Sequence, residues 1–197
     1  MSVSYEGATL SEFRIALKAL DSYFQENILK THPQLLPVTV RSIGGFALLY
    51  HEIRYSGVTT DIDSLVEYDD IIKEAIRRIG ESLGLTWDWL NDFVHTRLGV
   101  TGKDITWTRA DFGCEHIQVY IADLHSLFIQ KSQMSEKTAL GERTIDFEDL
   151  TAIMWKLGLE FETIDEVEMI YLRSGLSLID DFPNLRVMFS KMIEKNR

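Results

Sequence analysis

Residues 43–68 place the tightest constraint on the fold. VTVRSI, residues 38–43, is rich in β-branched residues and reads as a short strand. Gly44-Gly45 then reads as a turn, and Phe46–Glu52 as an apolar helix. A polar connector containing Arg54 leads to Thr60-Asp61-Ile62-Asp63, which opens a second strand expected to run to Tyr68. Residues two apart in a strand share a face, so Asp61 and Asp63 would present two carboxylates side by side while Ile62 turns into the core. Like charges held that close are costly unless a cation sits between them. Magnesium suits such a pair, because it commonly uses one or two carboxylates plus substrate phosphates. Paired glycines let backbone N–H groups approach a phosphate closely. The segment therefore reads as a phosphate and metal site, with Asp61 and Asp63 as ligands of Mg²⁺ or Mn²⁺.

The rest of the chain divides into a mixed half and a helical half. Thr9 and Glu12 form a capping-box pattern at the head of an amphipathic helix over 9–27, which the prolines of His32-Pro33 and Leu36-Pro37 end. A second amphipathic helix is expected over 69–83, with Gly84 as its stop. Thr86 is read as the cap of a helix over 87–98 that uses Trp87, Leu90, Phe93 and Val94. Ile105–Arg109 and Ile117–Ile121 are expected strands joined by a turn at Asp111–Gly113. Beyond Asp123 the periodicity is helical, with a second capping box at Thr163 and Glu166 and a last helix after Pro183. The domain reading is an α/β core over 1–122, with a helical region over 123–197 packed on it.

Composition excludes several classes. Apolar residues make up 45% and charged residues 26%, as in a soluble globular domain. No apolar run approaches the length of a membrane span. MSVSYEGATLSEF lacks the regions of a signal peptide, and Cys114 is the sole cysteine, so a reducing cytoplasm and no membrane partner are expected. The net charge of −11 argues against broad electrostatic binding of nucleic acid. It leaves room for a local basic patch drawn from Arg41, Arg54, Lys103, Arg109, Lys131, Lys137 and Arg143. There is no Gly-x-Ser-x-Gly elbow and no Walker-type loop.

The order Gly-Gly, helix, Arg54, Thr60-Asp61-Ile62-Asp63 resembles the nucleotidyltransferase superfamily, most closely the branch containing abortive-infection and related toxin nucleotidyltransferases. The strong part of the resemblance covers residues 40–67. A second part covers 117–150, where Lys131, Arg143, Asp146 and Asp149 match by type a helix-borne lysine and a following basic-Asp-x-x-Asp-Leu segment. The resemblance implies an α+β fold with a small mixed sheet flanked by helices and a helical C-terminal half. It implies transfer of an NMP from an NTP to an RNA, protein or small-molecule acceptor, with an antitoxin protein as partner. Asp61, Asp63, Lys131 and Asp146 would be catalytic, and Gly44, Gly45, Arg54 and Thr60 would bind the nucleotide. This chain has Gly-Gly where many relatives have Gly-Ser. For the third carboxylate of active members it offers Glu115 and Asp123.

Each feature also has a structural reading. Arg54 serves as a tether to the acidic loop or as a phosphate contact. Lys131 is read as a solvated side chain covering apolar surface or as a triphosphate contact, and Asp146 and Asp149 as helix N-terminal carboxylates. Trp87, Trp89 and Phe93 read as core. The alternative function is a non-catalytic nucleotide-binding or protein-interaction module with the same fold.

Overall fold

The computed structural model describes residues 7–54, 56–94, 105–138 and 145–195. The chain forms two compact units, Met1–Asp123 and Leu124–Arg197. Together they carry a five-stranded mixed sheet and, among the described residues, seven α-helices, an α+β fold with a helical C-terminal half.

In the first unit, α1 (Leu10–Tyr23) starts at the expected capping box. Thr9 Oγ1 accepts from the Glu12 N–H, and Glu12 Oε2 accepts from the Thr9 N–H at 2.8 Å, so two orphan donors are satisfied. Phe13, Ala16, Leu17 and Leu20 form its buried stripe. β1 (Val38–Ile43) leads into α2 (Gly44–Tyr50), and β2 (Ile62–Ser64) into α3 (Asp70–Leu83). Asp69 caps α3, and Gly84 ends it at φ +71°, a left-handed conformation that glycine adopts without steric cost. β3 (Leu90–Asn91), β4 (Trp107–Ala110) and β5 (Ile117–Ala122) complete the sheet, in the order β3-β2-β1-β5-β4.

Alternation divides the sheet into two faces. Val38, Val40, Ile62, Ile117, Val119 and Ile121 are buried on one. Phe13, Phe46 and Trp89, fully buried, form an aromatic cluster in which Phe13 meets Phe46 edge-on at 5.4 Å and stacks on Trp89 at 6.4 Å. Thr39, Arg41, Gln118 and Tyr120 point the other way.

Two expectations are corrected here. Residues 87–92 do not form a helix: Leu90 and Asn91 pair in parallel with Ile62 and Asp63. Trp89 decides this, because its carbonyl accepts from the Ile62 N–H at 2.7 Å and its indole N–H donates to the Ile76 carbonyl at 2.8 Å. Burial of the ring and the bond to β2 outweigh the helical periodicity; residues 95–98 of the expected helix lie outside the described residues. β2 is also shorter than expected. Ser64 Oγ accepts from the Val66 N–H and Asp92 Oδ2 from the Tyr68 N–H, which takes the chain away from the sheet after Ser64.

The second unit contains α4 (Leu124–Thr138), α5 (Ile145–Lys156), α6 (Ile164–Arg173) and α7 (Pro183–Lys195). Its core is aromatic, with Tyr171 packed against Phe128, Phe182 and Phe189. The Tyr171 hydroxyl finds Ser132 Oγ at 2.9 Å. Glu136 of α4 accepts from the backbone N–H groups of Asn184 and Leu185 and so caps α7 from a neighbouring helix. No helix among the described residues is long and apolar enough to cross a membrane.

Candidate functional site

The Gly-Gly turn lies where β1 becomes α2. Gly44 has φ +71°, and a Cβ placed there would stand 3.0 Å from Asp63 Oδ2. Both facts demand glycine: the backbone is left-handed, and the carboxylate occupies the space beside it. The antiparallel register Ile43↔Asp63 puts the acid there. Ile62 is fully buried, while Asp63 within β2 and Asp61, which precedes the strand rather than opening it, are partly exposed.

Gly45 has a different job. A Cβ there would collide with Arg54 Nη1 and Thr59 Oγ1 and lie 3.0 Å from Arg54 Cζ. The guanidinium therefore rests in a notch that only glycine leaves open. Arg54 Nε also reaches Ser56 Oγ at 3.4 Å. Thr59, which sequence reasoning passed over for its neighbour, is the threonine at the turn. It is buried, and its backbone exchanges hydrogen bonds of 2.7 and 3.0 Å with Ala8. Thr60 is exposed. What distinguishes them is the bridge between Thr59 and Ala8, a long-range pairing that no local pattern announces.

Neighbouring groups brace the site. Asp92, beside β3, is buried; it accepts from the Tyr68 N–H at 3.0 Å and pairs with the Lys73 ammonium at 3.0 Å. Burial acts to raise its carboxyl, but those partners outweigh it and hold it below the usual carboxylate range. His51 Nε2 lies 2.9 Å from the Ala122 carbonyl, tying the end of α2 to the end of β5. β5 runs parallel to β1, so Asp123, just past its end, lies at the same end of the sheet as Gly44. Glu115, the other candidate third carboxylate, lies before β5 and is exposed. Among the described residues, no set of three or more His, Cys, Asp or Glu side chains is gathered at metal-binding spacing.

Lys131 belongs to the second unit and is not solvated. It is 7% exposed, and its ammonium lies 2.7 Å from Asp146 Oδ1 and 2.8 Å from Asp149 Oδ2. The reading as a side chain that merely covers apolar surface is corrected: α4 and α5 bury the charge, and burial demands a partner. Asp146 lies in the first turn of α5, as a helix N-terminal carboxylate should, and Asp149 is one turn on.

Of the seven basic residues on which a local patch could draw, Arg41 and Arg109 come together, both in register with Tyr120. Arg54 is at the Gly45 notch, Lys131 is in its ion pair, and Lys137 is exposed near the end of α4. Lys103 and Arg143 lie outside the described residues. Trp89 is core as expected, whereas Trp87 is 62% exposed and meets Phe93 edge-on at 6.1 Å. Burial pushes the Cys114 thiol up to about 11, the opposite of what a thiolate nucleophile needs. No family model, no curated protein and no solved structure matches this chain.

Proposed function

We propose that the first unit is a metal-dependent nucleotidyltransferase acting at the Gly44-Gly45 turn, with an NTP as donor and an RNA, protein or small molecule as acceptor. The observation that carries this reading is the close fit of turn and acid: Asp63 Oδ2 occupies the space beside the left-handed Gly44, and the Arg54 guanidinium fills the notch at Gly45. Asp61 and Asp63 are hard oxygen donors two residues apart, which suits Mg²⁺ or Mn²⁺ completed by substrate phosphates and water. Such an ion, when bound, neutralises phosphate charge and stabilises the developing negative charge.

The protein groups then divide the work. The glycine turn lets the Asp63 carboxylate and the Arg54 guanidinium close directly onto the backbone at the start of α2. Arg54, locked beside Thr59, offsets charge on the leaving pyrophosphate. The acceptor hydroxyl oxygen bonds to the α-phosphorus as the bond to pyrophosphate breaks, and the hydroxyl proton passes to solvent. Lys131 and Asp146, which the resemblance implies are catalytic, pair with each other inside the second unit and are given no step here; an antitoxin partner and a cytoplasmic setting are proposed from the resemblance alone.

The test combines calorimetry with ATP, GTP, CTP and UTP, with and without Mg²⁺, and transfer of labelled NMP to cellular RNA or protein. Asp63→Asn removes a charge at nearly constant volume. It should leave the fold intact and lower transfer by on the order of a hundredfold or more. Equal triphosphate binding in EDTA, or an Asp63→Asn variant with full activity, would sink the assignment; metal-dependent binding without transfer to any acceptor would leave a nucleotide-binding module.

A further inference from the structure

The outward face of the sheet carries a feature that the turn site does not use. Arg41 on β1 is the Cα partner of Tyr120 on β5, and Tyr120 is the Cα partner of Arg109 on β4. Partners in register point to the same face, so a tyrosine is flanked by two arginines in one row across three strands. Strand spacing sets the two arginine Cα atoms roughly 10 Å apart. Trp107, two residues before Arg109, lies on the same face, and the Arg41 guanidinium sits 5.9 Å from its ring centroid. Arg41 and Arg109 are exposed, and Tyr120 and Trp107 are partly exposed. Among the described residues neither guanidinium makes an ion pair, in a chain whose net charge is −11.

The row also has a direction. Ile43, the partner of Asp63, is two residues from Arg41, so Arg41 is the diagonal neighbour of Asp63 on the same face. The strip runs from the carboxylate through Arg41 and Tyr120 to Arg109. Guanidinium groups alternating with aromatic rings suit phosphates alternating with bases, because cations take the backbone while rings and guanidinium planes stack on bases. A duplex hides its bases within the stack and offers the rings nothing. The acidic remainder of the surface repels polyanions and confines binding to this strip.

We propose that Arg41, Tyr120, Trp107 and Arg109 form the track for a single-stranded nucleic acid whose end reaches the Asp63 side and serves as acceptor. The acceptor role rests on the nucleotidyltransferase reading above; the binding track does not. The test is fluorescence anisotropy with a labelled single-stranded RNA of roughly 12 nucleotides and with its duplex, in the absence of NTP and metal. The salt series runs from about 50 to 200 mM. The full chain should bind the single strand more tightly than the duplex. Arg41→Gln with Arg109→Gln should weaken binding about tenfold and reduce the salt slope by about 1.4, roughly 0.7 for each phosphate that is no longer neutralised. Tyr120→Leu should weaken binding about fivefold or more with no change in slope. Circular dichroism checks that each variant folds.

The proposal is overturned if the wild type shows no binding at about 100 µM in the lowest salt, or if the double variant keeps both affinity and slope. Transfer of NMP to a protein without RNA binding overturns the track and leaves the proposed function standing. Arginine-dependent RNA binding without NMP transfer upholds the track and removes the proposed function.

Discussion

Gly45→Ala isolates the packing of the turn from its chemistry. Gly45 lies inside α2, where alanine is favoured over glycine by about 1 kcal/mol, so helix propensity alone predicts a stabilised protein. The structure predicts the reverse. The added methyl would occupy the position of Arg54 Nη1 and meet Thr59 Oγ1. Arg54 is the far end of a flexible side chain and can leave, forfeiting its place in the notch and its charge-assisted hydrogen bond to Ser56 Oγ at a cost of about 1.5–3 kcal/mol. Thr59 is buried and bridged to Ala8 and cannot move as freely, which adds an overpacking cost of about 1–3 kcal/mol. The net destabilisation is about 1.5–5 kcal/mol, a fall in Tm of about 3–20 °C for a chain of this size. Calorimetry on Gly45→Ala, Arg54→Ala and the double variant reads it directly. With Arg54 truncated the methyl has less to displace, so the cost of Gly45→Ala should shrink by about 1 kcal/mol or more. A neutral or stabilising Gly45→Ala, or an equal cost in both backgrounds, would refute the notch.

Two further outcomes follow from buried charges. Lys131→Ala leaves the buried carboxylates of Asp146 and Asp149 without their shared cation, and should destabilise the second unit by about 3–5 kcal/mol in urea unfolding; a midpoint unchanged from wild type would contradict the buried pair. Asp92→Asn should lower Tm near neutral pH. Because the folded-state carboxyl of Asp92 is depressed, its stabilisation is fully present above the unfolded value of about 3.9 and is lost as pH falls through the folded value. The gap between wild type and Asp92→Asn should thus close below about pH 4, and a gap that persists into stronger acid would exclude the charge as its cause.

Local chemistry was enough for much of this molecule. The capping boxes at Thr9 and Thr163 and the Gly84 stop each depend on groups within a few residues, so the sequence alone locates those helix ends. Strand alternation likewise announced β1 and β5 and the burial of Ile62 between two acids. Long-range partners settled the rest. A short apolar run around Trp89 suits helix or strand equally, and the bond from Ile62 chose strand. Thr59 rather than Thr60 meets Gly45 because the chain pairs with Ala8 at that residue. Lys131 is a paired charge rather than a solvated one because α5 brings two carboxylates to α4. The Arg41–Tyr120–Arg109 row exists because β1 and β5, distant in sequence, pair in parallel in one register, and a shift of a single residue would turn Tyr120 into the core.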